Sequence, residues 1–325
     1  MSSFDELSDV ERIERFERLA RKVLATYGLE EAELRYLGQS SNVMFRVQTD
    51  EGRWALRICD PGRDHQILRR ELLWLVALCR DTDIVVPEPV IMRSGDLFRS
   101  VSMPGLPGFR ACMLFRWVKG QFEEEPTVGQ LEAMGVLAAK LHKHAETFCF
   151  PDELEPVRVS PETVGDNIPA ALLRTHYAQH DAQSILDTIP LIQQTMLSLG
   201  PGPDVCGVIH GDLHHRNVPF HEGVARAIDF ECVQWNLYAY DIATTFSYFS
   251  GRSDFEALKT AYVAGYSAIR PLPCSFDEHI PPLDMLRSFA LIALILRTPR
   301  LRTDEWASGV LESAVRKANR LLEAR

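Results

Sequence analysis

The stretch Val208-Ile209-His210-Gly211-Asp212-Leu213-His214-His215-Arg216-Asn217-Val218 holds the densest chemistry in the chain. An apolar strand delivers a loop that carries His210, Asp212 and, further on, Asn217. A hairpin follows, and a second strand over 225–231 runs into Asp229. This order predicts that the hairpin sets Asn217 beside Asp229, with Asp212 close by. Phosphoryl transfer asks for such a trio. One carboxylate orients and deprotonates an attacking hydroxyl, while a carboxylate and an amide oxygen hold Mg²⁺ against the phosphate oxygens. The ion keeps several waters, so few protein ligands suffice. Asp212 is then the base, Asn217 and Asp229 are the metal ligands, and Glu231 is a candidate for a second metal or for the acceptor. The plain alternative is a set of polar residues capping a tight hairpin. A bare HxDxxxxN pattern would not decide between them. HGDxxxxN followed by a strand that ends in Asp favours the chemical reading. His210 reads as a brace for the loop, and His214-His215 lack a third ligand spaced to make a metal site.

The elements that must position these residues change character near residue 120. Ser8-Asp9-Val10-Glu11 has the form of a capping box. Ile13, Phe16, Leu19, Ala20, Val23, Leu24 and Tyr27 then recur at helical spacing until Gly28. A strand is predicted at 33–37, and a hairpin of 43–49 with 54–58 through Asp50-Glu51-Gly52. A helix is predicted over 66–78, a second hairpin of 90–92 with 98–103 about Ser94-Gly95, and an apolar strand at 111–118 that ends in Lys119-Gly120. After Glu123-Glu124-Glu125-Pro126 a long helix over 128–147 begins. Further helices are predicted at 239–250, 254–268, 284–297 and 304–323. Strands grouped first and helices afterwards predict an α+β fold.

Composition narrows the function classes. The 325 residues suffice for two lobes, and the 46% hydrophobic and 25% charged fractions are those of a globular protein. The net charge of −10 falls almost wholly after residue 118, which argues against a nucleic-acid partner. It fits either cationic ligands or plain solubility. Seven cysteines without a CxxC pair predict neither a disulfide framework nor a zinc site. The acidic start Met1-Ser2-Ser3-Phe4-Asp5-Glu6 is unlike a signal peptide. The longest apolar run, 289–296 between Arg287 and Arg297, is too short for a bilayer and reads as a buried helix. A cytoplasmic protein without a membrane partner is expected; the sequence leaves the oligomeric state open.

Five motifs carry a resemblance to a known family. They are Leu56-Arg57-Ile58 followed by Pro61-Gly62-Arg63, Arg70-Glu71-Leu72-Leu73-Trp74-Leu75, His210-Gly211-Asp212-Leu213-His214, Ile228-Asp229-Phe230, and Tyr240-Asp241-Ile242-Ala243. In these the chain resembles the aminoglycoside phosphotransferase/choline kinase-like family, and within it the homoserine kinase type II and stress-response kinase A group. The resemblance implies a bilobal protein-kinase-like fold. Residues 1–115 would form a small β-rich nucleotide lobe, 116–120 a hinge, and 121–325 a larger, mainly helical lobe for catalysis and acceptor binding. ATP and Mg²⁺ are the implied cofactors. Arg57 stands where many members have a phosphate-binding lysine, with Glu71 as its partner. Ser40, Ser41 and Asn42 belong to the implied phosphate loop, although Gly38 is its one glycine. Phe115, Arg116 and Val118 would meet the adenine, and Asp241 would brace the His-Gly-Asp loop. Glu231, Trp235 and Tyr238 are implied to line the acceptor site. The implied activity is phosphoryl transfer to a hydroxyl of a small acceptor: an amino alcohol, or a homoserine-like or aminoglycoside-like compound. A protein Ser/Thr kinase and a nucleotide-binding pseudokinase acting by interaction are the alternatives.

Overall fold

The Ser8 hydroxyl accepts the Glu11 N–H at 3.3 Å while the Ser8 N–H donates to Glu11 Oε2 at 2.9 Å. This reciprocal cap satisfies donors that the first helical turn leaves open. It starts α1 (Asp9–Leu24), whose apolar stripe of Phe16, Leu19, Ala20, Val23 and Leu24 is buried. The computed structural model describes residues 4, 7–39, 41–156, 158–166, 168, 170–273, 275–298, 301–302 and 304–324. The chain divides into two compact units, the first comprising the residues up to Gly120 with Asp152–Leu154 and Arg226–Glu231.

In the first unit α1 is followed by β1 (Glu33–Gln39), β2 (Asn42–Thr49), β3 (Gly52–Cys59), α2 (His65–Asp81), β4 (Arg99–Val101) and β5 (Arg110–Arg116). The strands form one antiparallel sheet in the order β1-β2-β3-β5-β4. The β2–β3 hairpin pairs without a break from Asn42↔Cys59 to Thr49↔Gly52. Side chains alternate between faces along a strand. Val43, Phe45 and Val47 of β2 and Trp54, Leu56 and Ile58 of β3 therefore join the core that α1 covers. The same alternation turns Arg57 to the other face, where Glu71 of α2 meets it.

The hairpin predicted for 90–92 and 98–103 does not form. The turn is there, with Gly95 N–H on Met92 O at 2.9 Å and Met92 N–H on Asp96 O at 2.9 Å. The strand partner is different: β4 pairs with β5 through Arg99↔Cys112. Pro87 and Pro89, which have no N–H to give a ladder, precede the first arm. That arm is held to β5 by the Pro89↔Phe115 bridge, through Val90 N–H on Leu114 O and Arg116 N–H on Glu88 O, each at 2.8 Å.

The second unit contains α3 (Val128–Ala145), α4 (Ala170–His176), α5 (Gln179–Leu186), α6 (Ile189–Leu199), β6 (Cys206–Ile209), β7 (Phe220–His221), β8 (Val224–Ala225), β9 (Gln234–Leu237), α7 (Tyr238–Ser247), α8 (Phe255–Ser267), α9 (Phe276–Arg297) and α10 (Glu305–Glu323). β6 pairs antiparallel with β9, and β7 with β8. Two expectations are corrected. The strand predicted over 225–231 stops at Ala225; further on, Asp229 has φ 65°, which an extended strand cannot accommodate, and a 3₁₀ turn follows at Phe230–Cys232. This segment packs in the first unit, where Phe230 meets Trp74 edge-on at 5.5 Å. The helix expected from 284 begins at Phe276 and runs through Pro281 and Pro282, residues that ordinarily interrupt a helix. Among the described residues α9 is the one helix long and apolar enough to cross a membrane, but 61% of its 18-residue apolar stretch is buried in the protein, and the helix packs against α6, α7 and α10.

α3 and α8 pack closely because each presents a glycine to the other's backbone. A Cβ on Gly135 would collide with Tyr262 O, and one on Gly265 with Glu132 O. Alanine is otherwise the better helix former by about 1 kcal/mol. Gly265→Ala should therefore lower stability by about 1–3 kcal/mol, as overpacking does, and so depress the melting temperature. A melting curve that is unchanged or shifted upward would show that the crossing tolerates a methyl group.

Candidate active site

β6 leads straight into the His-Gly-Asp loop, which is tied down from below. Asp241, in the first turn of α7, is fully buried and accepts the His210 N–H at 2.9 Å and the Gly211 N–H at 2.8 Å. Gly211 has φ 79°, and a Cβ there would strike Cys232 O, so the loop needs glycine at this point. His142 of α3 supports Asp241 in turn, with Nε2 at 3.3 Å from Oδ2. Burial holds the His142 pKa below its ordinary value, so the ring is neutral. It then donates through Nε2 to Asp241 and accepts the Tyr266 hydroxyl at Nδ1, at 2.9 Å. Tyr266 accepts from Arg270 at 3.1 Å, and Arg270 pairs with Glu146 at 2.7 Å. A chain of polar groups thus reaches from the loop to the surface of this unit.

Asp212 follows. Its N–H donates to His210 Nδ1 at 3.3 Å, so His210 braces the turn from within. Asn217 lies in the 3₁₀ turn His215–Asn217 and donates its amide N–H to Asp212 O at 3.0 Å and Oδ2 at 3.3 Å. That leaves Oδ1 as the oxygen Asn217 can offer a cation. His214 Nε2 lies 3.5 Å from Asp212 Oδ2, and its ring stacks on Tyr248 at 4.3 Å. Arg287 of α9 closes the group with an ion pair to Asp212 Oδ1. Burial pushes the Asp212 pKa up, but the His214 hydrogen bond and the Arg287 charge outweigh it and bring it down to about 2.

The first unit holds a second set. Arg57 and Glu71, 4% and 2% exposed, form a bidentate pair at 2.8 and 2.6 Å. Burial works against the Arg57 charge, yet Glu71 keeps its pKa above the ordinary value. The guanidinium lies 5.2 Å over the ring of Phe115. Ser41 Oγ donates to Glu231 Oε1 at 2.9 Å and Asn42 Nδ2 to Oε2 at 2.7 Å, while Arg63 donates to Glu231 O at 3.1 Å. Glu231 therefore fastens the loop between β1 and β2; Ser40 lies outside the described residues. Asp229 sits in the left-handed region, which a short polar side chain tolerates better than most. Arg116 is exposed and pairs with Glu88 at 2.8 Å, and Val118 is half-buried.

Two predicted lining residues have other neighbours. Tyr238, 2% exposed, stacks on His142 and donates its hydroxyl to Pro203 O at 3.2 Å, so it is a core residue of its unit. Trp235 lies beneath the Arg158 guanidinium at 4.3 Å. Three residues went unassigned in the sequence. Arg63 stood in a motif without a role. Arg287 appeared only as the charge that ends an apolar run, although a lone arginine inside a helix that buries most of its length needs a partner. Nothing local marks His142.

A five-stranded antiparallel sheet with a strand-to-helix Arg–Glu pair, preceding a helical unit whose His-Gly-Asp loop rests on a buried aspartate, defines a kinase-like fold. The solved microcompartment-associated aminopropanol kinase shares it, with a TM-score of 0.77 and 24% identity over 94% of this chain and 98% of that one. An amicoumacin kinase in complex with AMP-PNP, Ca²⁺ and Ami gives a TM-score of 0.76 at 18% identity over 93% and 92%. The chain belongs to the APH phosphotransferase enzyme family, whose sequence model matches residues 33–274. It is similar to the homoserine kinase of Neisseria meningitidis serogroup B, 28% identical over 270 residues, which are 80% of this chain and 82% of that protein.

The Asp212 environment makes a pH prediction. Its depressed pKa means that ionic pairing stabilises the fold above about pH 4, the unfolded value, and that this contribution is lost as pH falls toward about 2. Arg287→Met should raise the Asp212 midpoint toward the ordinary carboxylate range and flatten the pH dependence of unfolding in that window. Carbon NMR titration of the side-chain carboxyls reads the midpoint directly. An unmoved midpoint would mean that the Arg287 charge does not control Asp212.

Proposed function

We propose that this phosphotransferase moves the γ-phosphoryl group of ATP to the hydroxyl of a small-molecule acceptor, with Mg²⁺ as the divalent cation. The observation that carries the reading is the Asp212–Asn217 contact on a loop that Asp241 fixes from beneath. Asp212 orients the acceptor hydroxyl and takes its proton as the new O–P bond forms and the bond from Pγ to the ADP oxygen breaks. Asn217 through Oδ1 and Asp229 through its carboxylate would hold the cation. Amide and carboxylate oxygens are the hard donors such an ion takes, and when bound it neutralises phosphate charge. Arg57, kept in place by Glu71, serves the phosphates, with Ser40, Ser41 and Asn42 as their cover. Phe115 and the main chain of Arg116 and Val118 receive the adenine.

Relatives named for homoserine, aminopropanol and amicoumacin support a small acceptor. The amicoumacin kinase complex with AMP-PNP and Ca²⁺ supports an adenine nucleotide and a divalent cation. A need for ATP supports a cytoplasmic enzyme.

Asp212→Asn should lower kcat by about 10²–10⁴, the usual worth of a positioned base, and leave Mg·AMP-PNP affinity within a few-fold. ATP consumption over a panel of small alcohols, amino acids and aminoglycosides, beside nucleotide binding by calorimetry, checks both halves. Near-normal turnover in the variant would remove the base role.

A further inference from the structure

We infer that Arg287 selects acceptors that carry a carboxylate near the reacting hydroxyl, and that this carboxylate takes the guanidinium away from Asp212. The inference rests on Asp212 being the base. Arg287 is buried on α9, and its charge is directed at Asp212 Oδ1. The acid one turn earlier on the same helix, Asp284, is engaged by Lys317 at 2.7 Å. Other groups near the guanidinium are the hydroxyls of Tyr240 and Tyr248, which are neutral, and the Cys232 thiol. Its Nε has no hydrogen-bond partner among the described residues. A guanidinium is a planar fork of five donors suited to a bidentate carboxylate, and here the protein leaves that fork incompletely used.

The position of this arginine constrains the acceptor. A base must present a carboxylate oxygen to the hydroxyl, yet one oxygen of Asp212 is committed to Arg287 and the other faces Asn217 and His214. An acceptor anion that pairs with Arg287 frees the first oxygen for the proton. An acceptor with only an amine near its hydroxyl would bring a second cation toward the guanidinium and leave the Asp212 pair closed. Arg287 also lies beyond residues 33–274, the part that matches the family as a whole. A feature that tells acceptors apart belongs in such a region rather than in the shared nucleotide machinery.

Matched acceptors that differ by one carboxylate test this: homoserine against 3-amino-1-propanol, and serine against ethanolamine. The wild type should favour the carboxylate member of a pair by about 10- to 100-fold in kcat/KM, the range of a charge-assisted hydrogen-bonded pair. Arg287→Met should bring the ratio to about one, and Arg287→Lys should keep part of it. Equal loss on both members of a pair would mean that Arg287 serves Asp212 or the nucleotide alone, and would overturn the inference. So would a wild-type preference for the amine-only members. A second arm needs no turnover. In Asp212→Asn the guanidinium is released, so calorimetry should show the carboxylate member binding about tenfold more tightly than to wild type, and adding Arg287→Met should abolish the gain. No such gain overturns the inference even if other hydroxyl compounds are phosphorylated. Full turnover by Asp212→Asn would instead strike at the base role, with the binding arm still reporting on Arg287.

Discussion

The buried carboxylate of Asp241 is the fixed point of the second unit. A fully buried charge is tolerated only when hydrogen bonds replace its water. Asp241 finds them in two consecutive backbone N–H groups and one neutral imidazole. Because two of these donors belong to the His-Gly-Asp loop, the same bonds that solvate the anion set the course of the backbone entering Asp212. Folding stability and the aim of the Asp212 side chain are one requirement here. The glycine contacts between α3 and α8 serve it at one remove, since α3 brings His142 and α8 brings Tyr266 to a hydrogen bond of 2.9 Å.

The first unit solves a related problem with charge of the opposite sign. Arg57 is a buried cation, and its planar fork meets both oxygens of Glu71. A lysine at this position could offer only a compact point charge. The arginine is thereby oriented as well as neutralised, and the ring of Phe115 below it adds a face that a guanidinium can stack on. Glu231 performs a comparable service for the β1–β2 loop. It supplies acceptors for Ser41 and Asn42, where a glycine-rich loop would rely on its own backbone.

What could be read in the sequence was mostly local. The α1 cap, the β2–β3 hairpin and the long helix after the acidic triplet each announce themselves within a few residues. The His-Gly-Asp loop, the Arg57 strand and the Asp241 helix were legible as motifs, and with them the family. The misses were non-local or conformational. β4 pairs with β5 through Arg99↔Cys112 and not back across the Ser94-Gly95 turn, so that turn signal does not reveal its partner. The backbone at Asp229 turns into a region that residue type does not predict. The Ser41–Glu231 bond joins residues 190 positions apart. Arg287 reaches Asp212 across 75 positions from a helix whose start two prolines disguised.

The interlacing of the chain has a consequence for biosynthesis. The sheet is complete in sequence by Arg116, but its unit also needs Phe230 against Trp74 and Glu231 on Ser41, Asn42 and Arg63. At about 5–20 residues per second a ribosome takes on the order of 5–20 s to make the intervening chain. For that interval the nascent sheet carries an open apolar seat at Trp74 and a polar loop without its carboxylate. The first unit is thus incomplete until about half of the second unit has emerged, which makes 1–120 a poor candidate for an autonomous fragment.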